Sequence, residues 1–231
     1  MVTDAIIFDF DDTLVATNVI FEDIRQEFFA QMAELGFTEQ AAIAGYLNQA
    51  DINNVLALGY MGKECFPRAM GQTYQHFAAL AGQTYDPQIA QRLENTGWQV
   101  YQREAEYLPG AQELLTALQG KARLFLLTQG DSEIQARRLK QRGILPYFDD
   151  FRIVVSKDVA AYTSFIRDMN IDVERSWMVG NSLRSDINPA LTVGLKAVHY
   201  QLPAWDFEHE EALGEHYSIT NLLDLKELIG L

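Results

Sequence analysis

Apolar residues run without interruption from Ala5 to Phe8, and the chain then turns abruptly to Asp9, Phe10, Asp11, Asp12, Thr13 and Leu14. A run with no alternation predicts a strand covered on both faces, as in a parallel sheet. From Asn18 to about Glu106 the apolar spacing is helical throughout, with no convincing strand. Phe21, Ile24, Phe28, Phe29, Met32 and Leu35 form one face that stops at Gly36. A second helix is expected between Thr38 and Asn53, with Thr38 as its N-cap. Two more should lie between Lys63 and Ala81 and between Asp86 and Glu104, the latter opened by Pro87.

Beyond Pro109 and Gly110 helix and strand alternate. Helices are expected at Ala111 to Leu118, Ser132 to Arg142, Val159 to Met169, Leu183 to Val193 and Asn221 to Ile229. Strands are expected at Ala122 to Leu127, Arg152 to Val155, Trp177 to Val179, Leu195 to His199 and Tyr217 to Ile219. This alternation predicts an α/β fold, a doubly wound parallel sheet with an inserted all-helical domain. The core would comprise residues 1–16 and 107–231, and the insertion residues 17–106. Both ends of the insertion must return to one place, so the turns at Ala16 to Asn18 and Tyr107 to Gly110 should lie side by side.

The chain has 231 residues, of which 48% are apolar, enough for a core domain plus an insertion. Its 18 basic and 32 acidic residues give a formal charge of -14, which disfavours nucleic acid and anionic membrane surfaces as partners. Cys65 is the one cysteine, so an internal disulfide or a cysteine-rich zinc site is excluded. With no basic and apolar leader at Met1 to Asp4 and no window of membrane-spanning length, a cytoplasmic protein is expected. The acids from Asp206 to Glu211 read as a solvated loop or helix start.

The candidate chemistry lies where strands end. Asp9 and Asp11 project from one side of an extended chain, a crowding that only a cation, a proton or hydrogen bonds can offset. A polar strand-to-loop boundary, with Asp and Thr capping turn amides, is the simpler alternative for that segment alone. Three later loops repeat the placement: Thr128, Gln129 and Gly130; Ser156, Lys157 and Asp158; then Gly180, Asn181, Ser182 and Asp186. The order and spacing of the set outweigh any one residue.

Taken together, Asp9-Phe10-Asp11-Asp12-Thr13-Leu14, Thr128, Lys157 and Gly180-Asn181-Ser182-Leu183-Arg184-Ser185-Asp186 resemble the four ordered motifs of the haloacid dehalogenase superfamily, mostly metal-dependent phosphatases. The resemblance covers essentially the whole core, and the helical insertion resembles the family's alpha-helical cap. It implies a Rossmann-like core and hydrolysis of a small phosphorylated metabolite through an aspartyl-phosphate intermediate. Asp9 would be the nucleophile, and Asp11 would protonate the leaving alcohol and then deprotonate water. Thr128 would donate to a phosphoryl oxygen, and Lys157 would neutralise transition-state charge. Magnesium would be held by Asp9, the backbone carbonyl of Asp11, Asn181 and Asp186. Thr13, Gln129, Gly130 and Asn18 are the expected substrate contacts. The cap would select the leaving group, with Phe21, the break from Gly59 to Lys63, Trp98, Tyr101 and Arg103 as further candidates. A monomer or homodimer is compatible with all of this.

The pattern departs from the family twice. Asn181 stands where Asp is usual, which keeps an oxygen donor but removes a charge and predicts weaker or retuned metal binding. Lys157-Asp158-Val159-Ala160 replaces the common Lys-Pro-Asp-Pro. Asp12 reads as a turn residue. Retention of Asp11 favours phosphate ester hydrolysis over metal-independent 2-haloacid dehalogenation, whose leaving group needs no general acid. The remaining alternative is a phosphoryl-binding or regulatory protein with weak or no turnover.

Overall fold

The computed structural model describes residues 3–202 and 210–230. The chain divides into two compact units, Met1–Thr17 with Glu104–Leu231, and Asn18–Arg103.

The second unit is helical. Its helices are α1 (Thr17–Glu34, which starts at the boundary), α2 (Gln40–Leu58), α3 (Cys65–Leu80) and α4 (Pro87–Trp98), followed by a 3-10 turn at Gln99–Tyr101. Ile24, Phe28 and Met32 of α1, Ile43 and Leu47 of α2, Met70 of α3 and Leu93 of α4 are buried, so each amphipathic stripe meets another. Asp86 caps α4 by accepting from the Gln88 N–H at 2.8 Å, with Pro87 in the first turn. Thr38 is not an N-cap. The helix begins two residues later, Glu39 holds the cap position without a side-chain bond, and Thr38 offers only its carbonyl, to Gln40 N–H at 2.8 Å. Backbone pairing here satisfies the amide that a threonine hydroxyl was expected to cover.

In the first unit, six strands among the described residues form one parallel sheet: β1 (Ala5–Phe8), β2 (Arg123–Gln129), β3 (Asp150–Val154), β4 (Trp177–Gly180), β5 (Lys196–Tyr200) and β6 (Tyr217–Ile219). Their order is β3-β2-β1-β4-β5-β6, the doubly wound arrangement expected from the alternation. β1 lies between β2 and β4 and is buried along its length, which is why it reads as continuously apolar. The helices of this unit among the described residues are α5 (Ala111–Leu118), α6 (Ser132–Arg142), α7 (Val159–Asp168) and α8 (Asn188–Thr192), each leading into the next strand, and α9 (Leu225–Leu228), which follows β6. Ile7, Phe125, Leu127 and Met178 pack in one cluster with Tyr162 and Phe165 of α7. From β1 the chain adds strands first on one side and then on the other. The carboxyl ends of the strands at that reversal are where such sheets bind ligands.

Boundaries shift where pairing overrides local pattern. β2 continues through Thr128 and Gln129 because β3 runs beside it, pairing Ile153 and Val154 with them. The expected helix from Leu183 to Val193 is a π-helical turn, Leu183–Ile187, followed by α8. That from Asn221 to Ile229 is a 3-10 turn, Leu222–Asp224, and α9. Val15 bridges Tyr107 antiparallel, with Ala16 N–H donating to Glu106 O at 2.8 Å and Leu108 N–H to Leu14 O at 2.9 Å. The chain thus leaves and re-enters the sheet unit side by side. Of the acidic stretch, all but Glu210 and Glu211 lie outside the described residues. No helix among the described residues is long and apolar enough to cross a membrane.

Candidate active site

Asp9 follows β1 directly, and its N–H donates to Val179 O of β4 at 3.0 Å, which extends the sheet pairing by one residue. The residue is 5% exposed, an expensive position for a carboxylate that its neighbours make tolerable. Lys157 Nζ donates to Asp9 Oδ1 at 2.6 Å and also to Asp186 Oδ1. Thr13, fully buried, donates its hydroxyl to Asp9 Oδ2 at 3.4 Å. Burial pushes the Asp9 carboxyl up, to about 8; Lys157 opposes the push, and the charges of Asp186 and Asp11 add to it. Burial works against the Lys157 ammonium, but the Asp186 and Asp9 carboxylates outweigh it and hold its pKa above the ordinary lysine value.

Past Phe10 the backbone turns sharply. Asp12 sits at φ 54, and its Oδ1 accepts the Thr17 N–H at 2.9 Å, so its side chain ties the loop to the first turn of α1. Asp11 instead directs its carboxylate to α6. Its Oδ1 lies 2.6 Å from Arg138 Nη1 and accepts from Thr17 Oγ1 at 2.5 Å, while Oδ2 accepts from Gln135 Nε2 at 2.7 Å.

At the end of β2, Thr128 is fully buried and its Oγ1 accepts from the same Gln135 amide at 2.7 Å. Gln129 turns its side-chain oxygen to the Lys157 N–H at 3.1 Å, an arrangement that fixes the lysine loop. Gly130 adopts φ 145, and a Cβ there would stand 3.1 Å from Gln135 Cγ. Asp158 caps α7 by accepting from Ala161 N–H at 2.8 Å, a role that suits the departure from proline at that position.

After β4 the chain makes the π-helical turn, a feature frequent at functional sites. Ser182 Oγ accepts the Ser185 N–H at 2.9 Å, and Asp186 Oδ2 accepts the Ser182 N–H at 3.0 Å. Gly180 makes room for that carboxylate, since a Cβ would meet Asp186 Cγ at 2.3 Å. Tyr162 Oη reaches the Ser185 and Asp186 carbonyls, both at 3.3 Å, and braces the turn from below. Asn181 is 7% exposed, and its backbone carbonyl lies 3.0 Å from His199 Nε2.

No three His, Cys, Asp or Glu side chains converge as metal donors among the described residues. Asp186 is engaged by Lys157 and Ser182, and the Asn181 side chain and the Asp11 backbone add further oxygen donors to those of Asp9. An all-oxygen set with one or two carboxylates fits magnesium, which retains several waters and accepts few protein ligands.

The sheet therefore brings Asp9, Thr13, Lys157 and Asp186 into one hydrogen-bonded group, and links Asp11 to Thr128 through Gln135. Asn18 lies half-buried in the first turn of α1, within the helical unit. In that unit Phe21 packs edge-on against Phe66 and Tyr101, with centroids 5.0 Å and 6.5 Å away, and Trp98 lies 5.9 Å from Tyr101. Arg103 pairs with Glu27 and, at 3.8 Å, with Asp23. Sequence reasoning missed Thr17, Gln135, Arg138 and Tyr162. The available signal was Gln135, a polar residue on the core stripe of α6, one turn before Leu139.

Residues 3–194 match the family described as haloacid dehalogenase-like hydrolase. The chain is 33% identical to the pyrimidine 5'-nucleotidase YjjG of Escherichia coli over 128 residues, 53% of this chain and 56% of that protein, so the similarity spans little more than half of this relative. It is 26% identical to the glyceraldehyde 3-phosphate phosphatase of Methanocaldococcus jannaschii over 97% of this chain and 96% of that one. The fold is also that of the HAD-hydrolase YfnB from Bacillus subtilis, solved with magnesium bound: TM-score 0.72, 17% identity, and full coverage of both chains.

Proposed function

Because the chain belongs to the haloacid dehalogenase-like hydrolase family, we propose that it hydrolyses a small phosphate monoester in a magnesium-dependent reaction with Asp9 as nucleophile. The observation that carries this reading is the buried contact of Asp9 with Lys157 at 2.6 Å, made at the carboxyl edge of the sheet where Thr128 and Asp11 also end. A carboxylate attacking an anionic phosphoryl group needs positive charge and fixed geometry more than intrinsic reactivity. Lys157 supplies charge at the attacking atom. Thr13, donating to the other oxygen of Asp9, fixes its rotation.

Asp9 attacks phosphorus, the ester oxygen departs with a proton from Asp11, and the acyl phosphate is then hydrolysed by water that returns a proton to Asp11. Thr128 donates to a phosphoryl oxygen. Asp9, the Asp11 carbonyl, Asn181 and Asp186 would hold magnesium, whose charge stabilises the transferring phosphoryl group. The Asn18–Arg103 unit acts as the selector of the leaving group. The phosphatase and nucleotidase names of the relatives support this reaction class. Retention of Asp11 favours it over dehalogenation, since a halide needs no proton to leave.

The test is phosphate release from a panel of monoesters with and without magnesium. Turnover should require the metal and vanish in Asp9→Asn. A fully active Asp9→Asn protein, or halide release from a 2-haloacid without metal and with no phosphatase activity, would overturn the proposal.

A further inference from the structure

Asp11 is held by a cradle that the four sequence motifs do not contain. Both of its oxygens are engaged: Oδ1 by Arg138 at 2.6 Å and Thr17 at 2.5 Å, and Oδ2 by Gln135 at 2.7 Å. Arg138 also donates to Gln135 Oε1 at 3.0 Å and to Thr17 Oγ1 at 2.7 Å, so the cradle is cross-linked within itself. The guanidinium lies 5.4 Å from the centroid of the Phe10 ring, the residue between Asp9 and Asp11. With Gln135 Oε1 turned to Arg138, its Nε2 must face Asp11 and Thr128. Thr128 Oγ1 therefore spends a lone pair on the amide, and its hydrogen is left for a different acceptor.

We infer that Gln135 and Arg138, one turn apart on α6, are positioning residues for the reaction: Arg138 aims Asp11, and Gln135 orients Thr128 as a donor while steadying Asp11. This rests on the phosphatase reading above. The two roles predict different signatures. Arg138 touches Asp11 directly and reaches Thr128 only at second hand, through the Gln135 amide, so its loss weighs most where the leaving group must be protonated. Gln135 also acts through Thr128, which addresses the phosphoryl group whatever leaves.

The experiment compares kcat/KM, which reports the steps through ester cleavage, for p-nitrophenyl phosphate and for the alkyl phosphate that wild type turns over fastest. Arg138→Met should lower kcat/KM about tenfold to a hundredfold for the alkyl ester, a fraction of what full general acid catalysis contributes. It should change the p-nitrophenyl value less than about threefold, because that leaving group departs without a proton. Arg138→Lys, which keeps a donor but not the fork, should fall between Arg138→Met and wild type for the alkyl ester. Gln135→Met should lower both esters. A merely structural role would lower both esters alike in Arg138→Met, and that result, or values within twofold of wild type in Arg138→Met and Gln135→Met, overturns the inference. Should Arg138→Met fail to fold, the same comparison on Arg138→Lys decides. If wild type releases phosphate from neither ester, or Asp9→Asn remains fully active, the phosphatase reading itself fails; wild-type activity that depends on Asp9 but shows no ester split overturns the cradle alone.

Discussion

Replacing Lys157 by methionine tests the electrostatic centre of the site directly. The ammonium donates to Asp9 at 2.6 Å and to Asp186, and the side chains of these two acids are 7% and 0% exposed. Methionine fills similar volume but removes the charge, leaving two buried carboxylates facing each other. Breaking a buried ion pair by deleting one partner typically costs about 3–5 kcal/mol, mostly from the charge left behind. Urea denaturation without metal at pH 9 should show a loss of that size in Lys157→Met. Adding Asp186→Asn to the variant removes one stranded charge and should return about 1–3 kcal/mol, whereas Asp186→Asn in the wild-type background should destabilise. Lowering the pH from 9 to 7 should shrink the penalty of the single variant, because Asp9, which burial already pushes up to about 8, escapes by taking up a proton. A Lys157→Met protein within about 1 kcal/mol of wild type, or a double variant less stable than the single, would refute the claim that these three side chains form one interdependent charge cluster.

Gly180→Ala places a methyl 2.3 Å from Asp186 Cγ, so the turn must shift. A destabilisation of about 1–3 kcal/mol is expected, together with a fall in kcat of tenfold or more, read by thermal melts and phosphate release. Asn181→Asp should tighten magnesium binding about tenfold by calorimetric titration, through the added charge; equal affinity would exclude Asn181 as a ligand position. In the helical unit, burial raises Asp51 to about 6, with Arg25 opposing the shift. The fold then favours the protonated acid, so its stabilising contribution is present below about pH 4 and is lost as the pH rises to about 6. Asp51→Asn should therefore gain at most about 3 kcal/mol over wild type at pH 8 and nothing at pH 4, and melts of equal stability at pH 8 would contradict the shift.

The sequence determined the elements whose signals are local. β1 is apolar at every position because both faces are covered, and Pro87 with Asp86 marks the start of α4 through a cap that needs no distant partner. The order of acids, threonine and lysine after successive strands was equally legible, since a parallel sheet puts every strand's carboxyl end on one edge. What the tertiary structure alone decided were contacts between residues far apart in the chain. The extension of β2 through Gln129 exists because β3 lies beside it, and the start of α2 at Gln40 answers to a backbone bond from Thr38 that no propensity announces. Arg138 reads as an ordinary polar residue of a surface helix and Gln135 stands out only as a polar residue on its core stripe; the packing of α6 alone sets them against Asp11, which is 124 residues away from Gln135 in sequence. A strand pattern records what each residue buries; the partner of a hydrogen bond is fixed by which elements the whole chain brings together, and that information is spread across all of them.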